Sequence, residues 1–167
     1  LRVGDNSLIL GQRLAEGCGH GPILEEDIAM TNVALDLVGQ ARTILTYAGK
    51  IEDNGRDEDG LAYFRDAIDF RNCMLVEMPN GDFAETTVRQ FFYDARAYFL
   101  LEALQSSKDE EIAAFATKSL KETTYHLRHS SEWTIRLGDG TEESHERTQT
   151  AVNKLWRFTD ELFEMND

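Results

Sequence analysis

The stretch KETTYHLRHSSEW, residues 121–133, places Glu122, His126 and His129 on what its pattern predicts to be one long helix. Carboxylates and imidazoles a turn apart are the donors from which a helical bundle builds a carboxylate-bridged di-iron site. That chemistry sets a strict donor count: one Glu from each of two helices, and a Glu-x-x-His pair from each of the other two. The i, i+3 spacing matters because it puts both side chains of a pair on one helix face. The chain has 4 histidines with which to meet it. His20 lies in the glycine-rich CGHGP, where a solvated or capping role is expected. His145 completes the literal Glu-x-x-His at Glu142–His145, but in a first helical turn inside the polar run TEESHERTQT, where acids answer the helix dipole. Three residues before His126 stands Thr123, and three before His129 stands His126; neither is a carboxylate.

At about 100° per residue, Glu122, His126, His129 and Trp133 still share a stripe, with Phe115 beside it and Ala116, Leu120 and Leu127 further round. Glu122 and His126 therefore fall at the edge of the core or just inside it, where a Glu122–His126 contact would satisfy both groups without a metal. On a second, otherwise apolar helix, Asn32, Asp36 and Gln40 follow at four-residue steps, Tyr47 continues the row, and Gly39 stands where a histidine partner of Asp36 would be. Asp94 lies among aromatics in FFYDARAYF, and Glu16 lies on the first helix. Each helix thus offers a carboxylate or amide, and none supplies the nitrogen ligand in register. The residues favour a metal-free polar centre over an intact di-metal site; simple solvent exposure of the 32–36–40 row is the alternative that periodicity leaves open. No phosphate-binding glycine loop follows a strand, no G-x-S-x-G elbow is present, and neither cysteine has a basic local setting. Phe91, Phe92, Tyr93, Tyr98 and Phe99 read as core before they read as a ligand pocket.

The elements that must position these side chains separate at punctuation. A first helix is predicted from about Ser7 to Cys18, ending in GHGP. Pro22 suits the first turn of the second, which continues to about Ile51 with apolar residues at i, i+3, i+4, i+7 from Met30 to Ala48. The acidic EDNGRDEDG is a loop, and a short helix is predicted from about Leu61 to Asn72. MLVEMPNGD does not read as helix, because Pro79 extends Met78 and Asn80-Gly81 is a turn. Asp82 with Glu85 opens a helix to about Ser106, and Ser107 with Glu110 opens the next, about Asp109 to Leu137. Gly138-Asp139-Gly140 ends it, and Thr141 caps a last helix to about Glu164. The sequence predicts an all-α bundle of four long helices, with a short helix at each flank of residues 20–72, in one domain over 1–167.

Composition excludes some functions. The 31 acidic and 17 basic residues give a formal net charge of −14, which repels phosphate backbones and anionic membranes, so neither nucleic acid nor membrane is an expected partner. Cys18 and Cys73 are far apart and form no C-x-x-C pair, so they read as buried thiols with a disulfide as the alternative. There is no signal segment or membrane-length apolar run, so a cytoplasmic location is expected. The chain opens on Leu1 rather than Met, as a fragment or trimmed chain would.

The segments GDNSLILGQRLAEGCGHGP, DIAMTNVALDLVGQART, MLVEMPNGDFAETTVRQFFYDA, KETTYHLRHSSEW and NKLWRFTDELF resemble, in order and over nearly the whole chain, the structural C subunits of the phenylacetyl-CoA epoxidases (phenylacetate-CoA oxygenases) of the phenylacetic acid catabolic family. Family members continue beyond such an end, so the chain looks short at its C-terminus. The resemblance implies a ferritin-like four-helix bundle with extra short helices. It implies a non-catalytic role beside a related A subunit, whose di-iron centre oxygenates the ring of phenylacetyl-CoA with electrons from an NADPH-dependent reductase subunit, and beside a small bridging B subunit. It implies no metal or cofactor in this chain, and it makes Glu16, Asn32, Asp36, Gln40, Asp94, Glu122 and His126 the vestige of a metal site. Leu75, Val76, Met78, Pro79 and Asn80 are the expected partner contact, with core filling as the competing role. Self-association of the isolated chain stays open. An active ferritin-like di-metal oxidase with unconventional ligands, drawn from Glu122, His126, Asp36 and Asp94, is the rival function, and a plain ligand-binding bundle a third.

Overall fold

Small residues let the first two helices pack closely. In the computed structural model, which describes residues 1–164, α1 (Arg2–Glu16) and α2 (Leu24–Glu52) form an antiparallel hairpin. A Cβ on Gly4 would come within 2.8 Å of Ile44 Cγ2 and Leu45 Cδ2, so the backbones approach at that end only because residue 4 has no side chain. α1 starts five residues earlier than Ser7, since GDNS, which looks like a loop, is taken into the helix and buried. Pro22 precedes α2 instead of entering it: Ile23 is the N-cap, and Asp27 Oδ1 accepts from the backbone N–H groups of Gly19 and Gly21.

A crossover of residues 53–82 then leads to a second antiparallel hairpin, α5 (Phe83–Leu104) with α6 (Glu110–Gly138). Asp82 caps α5 by accepting from the Glu85 N–H, while the Glu85 carboxylate is taken by Lys154 at 2.5 Å. Asp109, not Ser107, caps α6, accepting from the N–H groups of Glu111 and Ile112. α7 (Glu142–Leu155), capped by Thr141, packs on α5 and α6. It stops short of Glu164: residues 156–158 and 160–163 are 3₁₀ turns, and around the second Arg2 reaches the Glu161 and Glu164 oxygens and Arg96 the Leu162 oxygen.

The crossover departs most from expectation. α3 covers Glu58–Tyr63, capped by Asp57, and residues 67–69 form one 3₁₀ turn in place of a helix to Asn72. Asp5 explains the difference. Its side chain is wholly buried, Arg65 grips both its oxygens, and Oδ2 also accepts from the Arg71 N–H at 2.9 Å. Turning Arg65 inward to reach Asp5 ends the helix. Asn6 next to it accepts from the Cys73 N–H at 2.8 Å, and Ser7 Oγ lies 3.4 Å from the Tyr93 hydroxyl. One polar tripeptide therefore ties α1 to the crossover and to α5.

α4 (Met74–Glu77) corrects the expectation for MLVEMPNGD: MLVE is a helical turn, and Leu75 and Val76 are completely buried against Leu10, Leu14 and Val88. Pro79 does hold Met78 extended, at φ −55° and ψ 133°. Both cysteines are free, Cys73 buried and Cys18 exposed. No described helix is long and apolar enough to cross a membrane.

Because a buried guanidinium stranded without its acid is costly, Asp5→Ala is expected to destabilise the fold by about 3–5 kcal/mol. Urea unfolding should show Asp5→Leu with Arg65→Met recovering most of that loss.

Candidate functional site

α6 turns an unusual face to the bundle. Its fully buried residues between 119 and 130 are Ser119, Thr123, His126 and Ser130, at i, i+4, i+7 and i+11. Leu120 and Leu127 fall to either side of this line and are only half-buried. The middle of the bundle is therefore polar, and α2 and α5 supply the groups that answer it.

Across the α2–α6 seam, four side-chain hydrogen bonds follow one another in antiparallel order. Glu26 pairs with His129 at 2.9 Å, Asp36 with His126 Nε2 at 3.0 Å, Gln40 Nε2 with Glu122 Oε2 at 2.9 Å, and the Tyr47 hydroxyl with Asp109. The expected Glu122–His126 contact along α6 is thus replaced by bonds across the seam, because both side chains project toward α2. Asp109 serves twice, as cap of α6 and as partner of Tyr47, whose proton is held above its ordinary range by that hydrogen bond.

His126 is 1% exposed. Burial lowers its affinity for a proton below the ordinary 6.5, against the raising effect of the Asp36 hydrogen bond. A carboxylate only accepts, so a neutral His126 carries its proton on Nε2 and leaves Nδ1 as the bare nitrogen, and Nδ1 has no partner. Asp36 is partly open to solvent, its side chain 43% exposed.

The facing side of α5 makes a second group. Asp94 is 0% exposed, accepts from Gln90 Nε2 at 2.7 Å and from Ser130 Oγ at 2.8 Å, and has no cation beside it. Burial pushes its carboxyl up to about 8, against the opposing pull of the Ser130 and Gln90 hydrogen bonds. Asp94 is therefore mostly an uncharged acid at neutral pH, and Gln90 Oε1 and Thr87 Oγ1 beside it on α5 are unpartnered.

Of the seven residues expected to cluster, five lie in this polar band: Asp36, Gln40, Glu122 and His126 across the seam and Asp94 on α5. Glu16 does not; it is exposed and paired with Arg13 at 3.1 Å. Asn32 does not either, being turned to solvent, and Glu26 takes its place in the row. In the sequence Glu26 shows only as an acid in a first turn, where the helix dipole already explains it. Of the expected contact set, Leu75 and Val76 are core, and Met78 and Asn80 are held by the buried Arg89, whose guanidinium donates to the Met78 carbonyl and to Asn80 Oδ1 at 2.6 Å. Pro79 alone of the five is exposed. The aromatics of α5 gather around no pocket: Tyr93 is buried against Ser7, Phe92 packs edge-on to Trp156, and Phe99 faces outward.

Donors in this arrangement do not fit a di-iron centre. His126 brings one nitrogen, with its protonated Nε2 committed to Asp36; Asp94 lies on the other side of α6's buried face; and among the described residues no three His, Cys, Asp or Glu side chains converge as metal ligands would.

Two helical hairpins joined by one long crossover, with a polar band at mid-bundle, define a ferritin-like protein. The sequence matches the phenylacetic acid catabolic protein family over residues 1–167, and the chain belongs to that family. It is 52% identical over 167 residues to the C subunit of the 1,2-phenylacetyl-CoA epoxidase of Escherichia coli (strain K12), an alignment that covers 100% of this chain and 67% of that protein.

Asp94 predicts a pH dependence whose sign follows from its displacement. Between its ordinary 3.8 and about 8, the folded chain holds a proton that the unfolded chain has released. Its contribution is fully present below the lower value and is lost as pH rises toward the upper, at up to about 1.4 kcal/mol per pH unit. Denaturant unfolding should show Asp94→Asn, which keeps the size and one acceptor oxygen but cannot ionise, flattening the decline between pH 5 and 8.

Proposed function

We propose that this chain is a non-catalytic, structural member of a multicomponent oxygenase acting on phenylacetyl-CoA. One observation carries the reading: the polar residues at mid-bundle are bound to one another, His126 to Asp36 and Glu122 to Gln40, and are not arranged around a shared centre. A carboxylate hydrogen-bonded within the chain needs no iron to answer it, whereas empty metal ligands held close together would repel. The substrate class comes from the relative, whose name is that of a phenylacetyl-CoA epoxidase subunit. In this proposal the oxygen chemistry belongs to a related catalytic subunit with the di-iron centre. Electrons come from NADPH through a reductase subunit, the assembly is completed by a small bridging subunit, and all of it works in the cytoplasm. The chain's own part is to hold that catalytic partner in a productive form.

Reconstitution tests this directly. The chain purified without chelator is expected to hold well under one iron, to co-purify with the catalytic subunit, and to be required for turnover of phenylacetyl-CoA. His126→Gln keeps an N–H for Asp36, so turnover by the complex should stay within about twofold of normal, where loss of a true iron ligand would cost well over ~10-fold. About two irons per chain, or turnover by the other subunits without this one, would overturn the proposal.

A further inference from the structure

Helix α2 leaves one face uncovered. Leu24 and Leu35 are 70% and 65% exposed, and Ile28 and Val38 are exposed with them. These four side chains fall within an arc of about 80° at 100° per residue, beside the buried face of the helix, with Val38 at the margin next to Gly11 of α1. Val38 lines a cleft with Tyr63 of α3, itself exposed, so the apolar ridge continues onto the crossover. Isolated apolar residues on a surface are ordinary; a continuous ridge along a helix is a binding surface in want of an occupant.

What flanks the ridge narrows that occupant. On its α6 side runs a groove lined by Asp36 and Glu122, and on its α3 side the cleft carries Glu58 and Asp59. The cations in these two grooves are Lys118 and Arg42, and Arg42 is engaged by Glu58 at 3.3 Å. Asp36 and Glu122 each use one oxygen inside the chain, Oδ2 with His126 and Oε2 with Gln40, leaving Oδ1 and Oε1 for a donor from outside. Gly39, between the ridge and the first groove, has nothing within 4 Å of where a Cβ would stand, so an incoming side chain has room to reach those oxygens.

We infer that the exposed ridge of α2 docks an amphipathic helix of a different protein, one that presents an apolar stripe flanked by lysine or arginine. A second copy of this chain fits poorly: it would set the same carboxylate-lined grooves against each other and add another −14 of formal charge. The inference rests on the scaffold reading above, which makes the partner the catalytic subunit, and it assigns to α2 the contact that Leu75 and Val76 are too buried to make.

The test is affinity for the catalytic subunit, measured on purified chains whose helical content is confirmed by circular dichroism. Leu35→Asp with Val38→Asp, both exposed, should weaken pairing by about 100-fold or more. Ile51→Asp, on the same helix but off the ridge, should change it less than about threefold. Asp59→Lys should weaken pairing roughly 3–10-fold at low salt and lose that effect at high salt. Pairing untouched by the Leu35/Val38 variant overturns the docking surface and leaves the scaffold role standing. No pairing by the unsubstituted chain overturns both. A dimer of the chain alone that the Leu35/Val38 variant abolishes overturns the docking inference in favour of a second copy.

Discussion

The hydrogen bond between Asp36 and His126 is the constraint around which the middle of this bundle is organised. A histidine that is 1% exposed cannot be left with both nitrogens unanswered. Among the described residues, its hydrogen-bond partner lies on another helix. That bond fixes which faces of α2 and α6 meet. Once they are set, Gln40 falls opposite Glu122 and Tyr47 opposite Asp109, with Glu26 and His129 closing the far end. Between 119 and 130 the buried line of α6 contains no aliphatic side chain, so there the polar register sets how α2 meets α6, while Ile44 packs with Phe115 and Leu120 toward the start of α6.

The same physics operates at Asp5 and Asp94 with opposite charge balance. Asp5 is buried as deeply as Asp94, but Arg65 binds it in two places, whereas Asp94 has only the neutral donors Gln90 and Ser130. One acid is kept by a cation; the other is kept by taking up a proton. The contrast shows two ways a buried carboxylate is held within a bundle. Each acid requires only a local answer, and a hydroxyl, an amide, an imidazole or a guanidinium each supplies one.

Much of this is legible in the residues. The fold class follows from few helix breakers and long 3.6-residue periodicity. The caps Asp82 and Thr141 are readable because a side-chain acceptor three residues before an N–H leaves little alternative. The row Asp36, Gln40, Tyr47 is visible from its helical spacing, and the absence of a Glu-x-x-His in register excludes the standard di-iron set. Asp5, Asn6 and Ser7 are not legible as core, because three polar residues after a glycine look like a loop to any local rule. Their partners Arg65, Cys73 and Tyr93 lie about 60 to 86 residues away. The MLVE turn escapes for a related reason: a four-residue helix has too little length for periodicity to register, and its apolar side chains look like a surface until the core closes over them.

By itself, then, the sequence determined the all-helical class, the extents of α5 and α6, the family resemblance and the lack of a Glu-x-x-His in register, since those depend on residue type and short-range spacing. The tertiary structure decided which acid meets which partner, that Leu75 and Val76 are buried, and that Asp94 holds its proton far above the ordinary carboxylate range. The reason is physical. Pairing, burial and proton affinity depend on groups brought together across the bundle, and no property of the intervening chain encodes that distance.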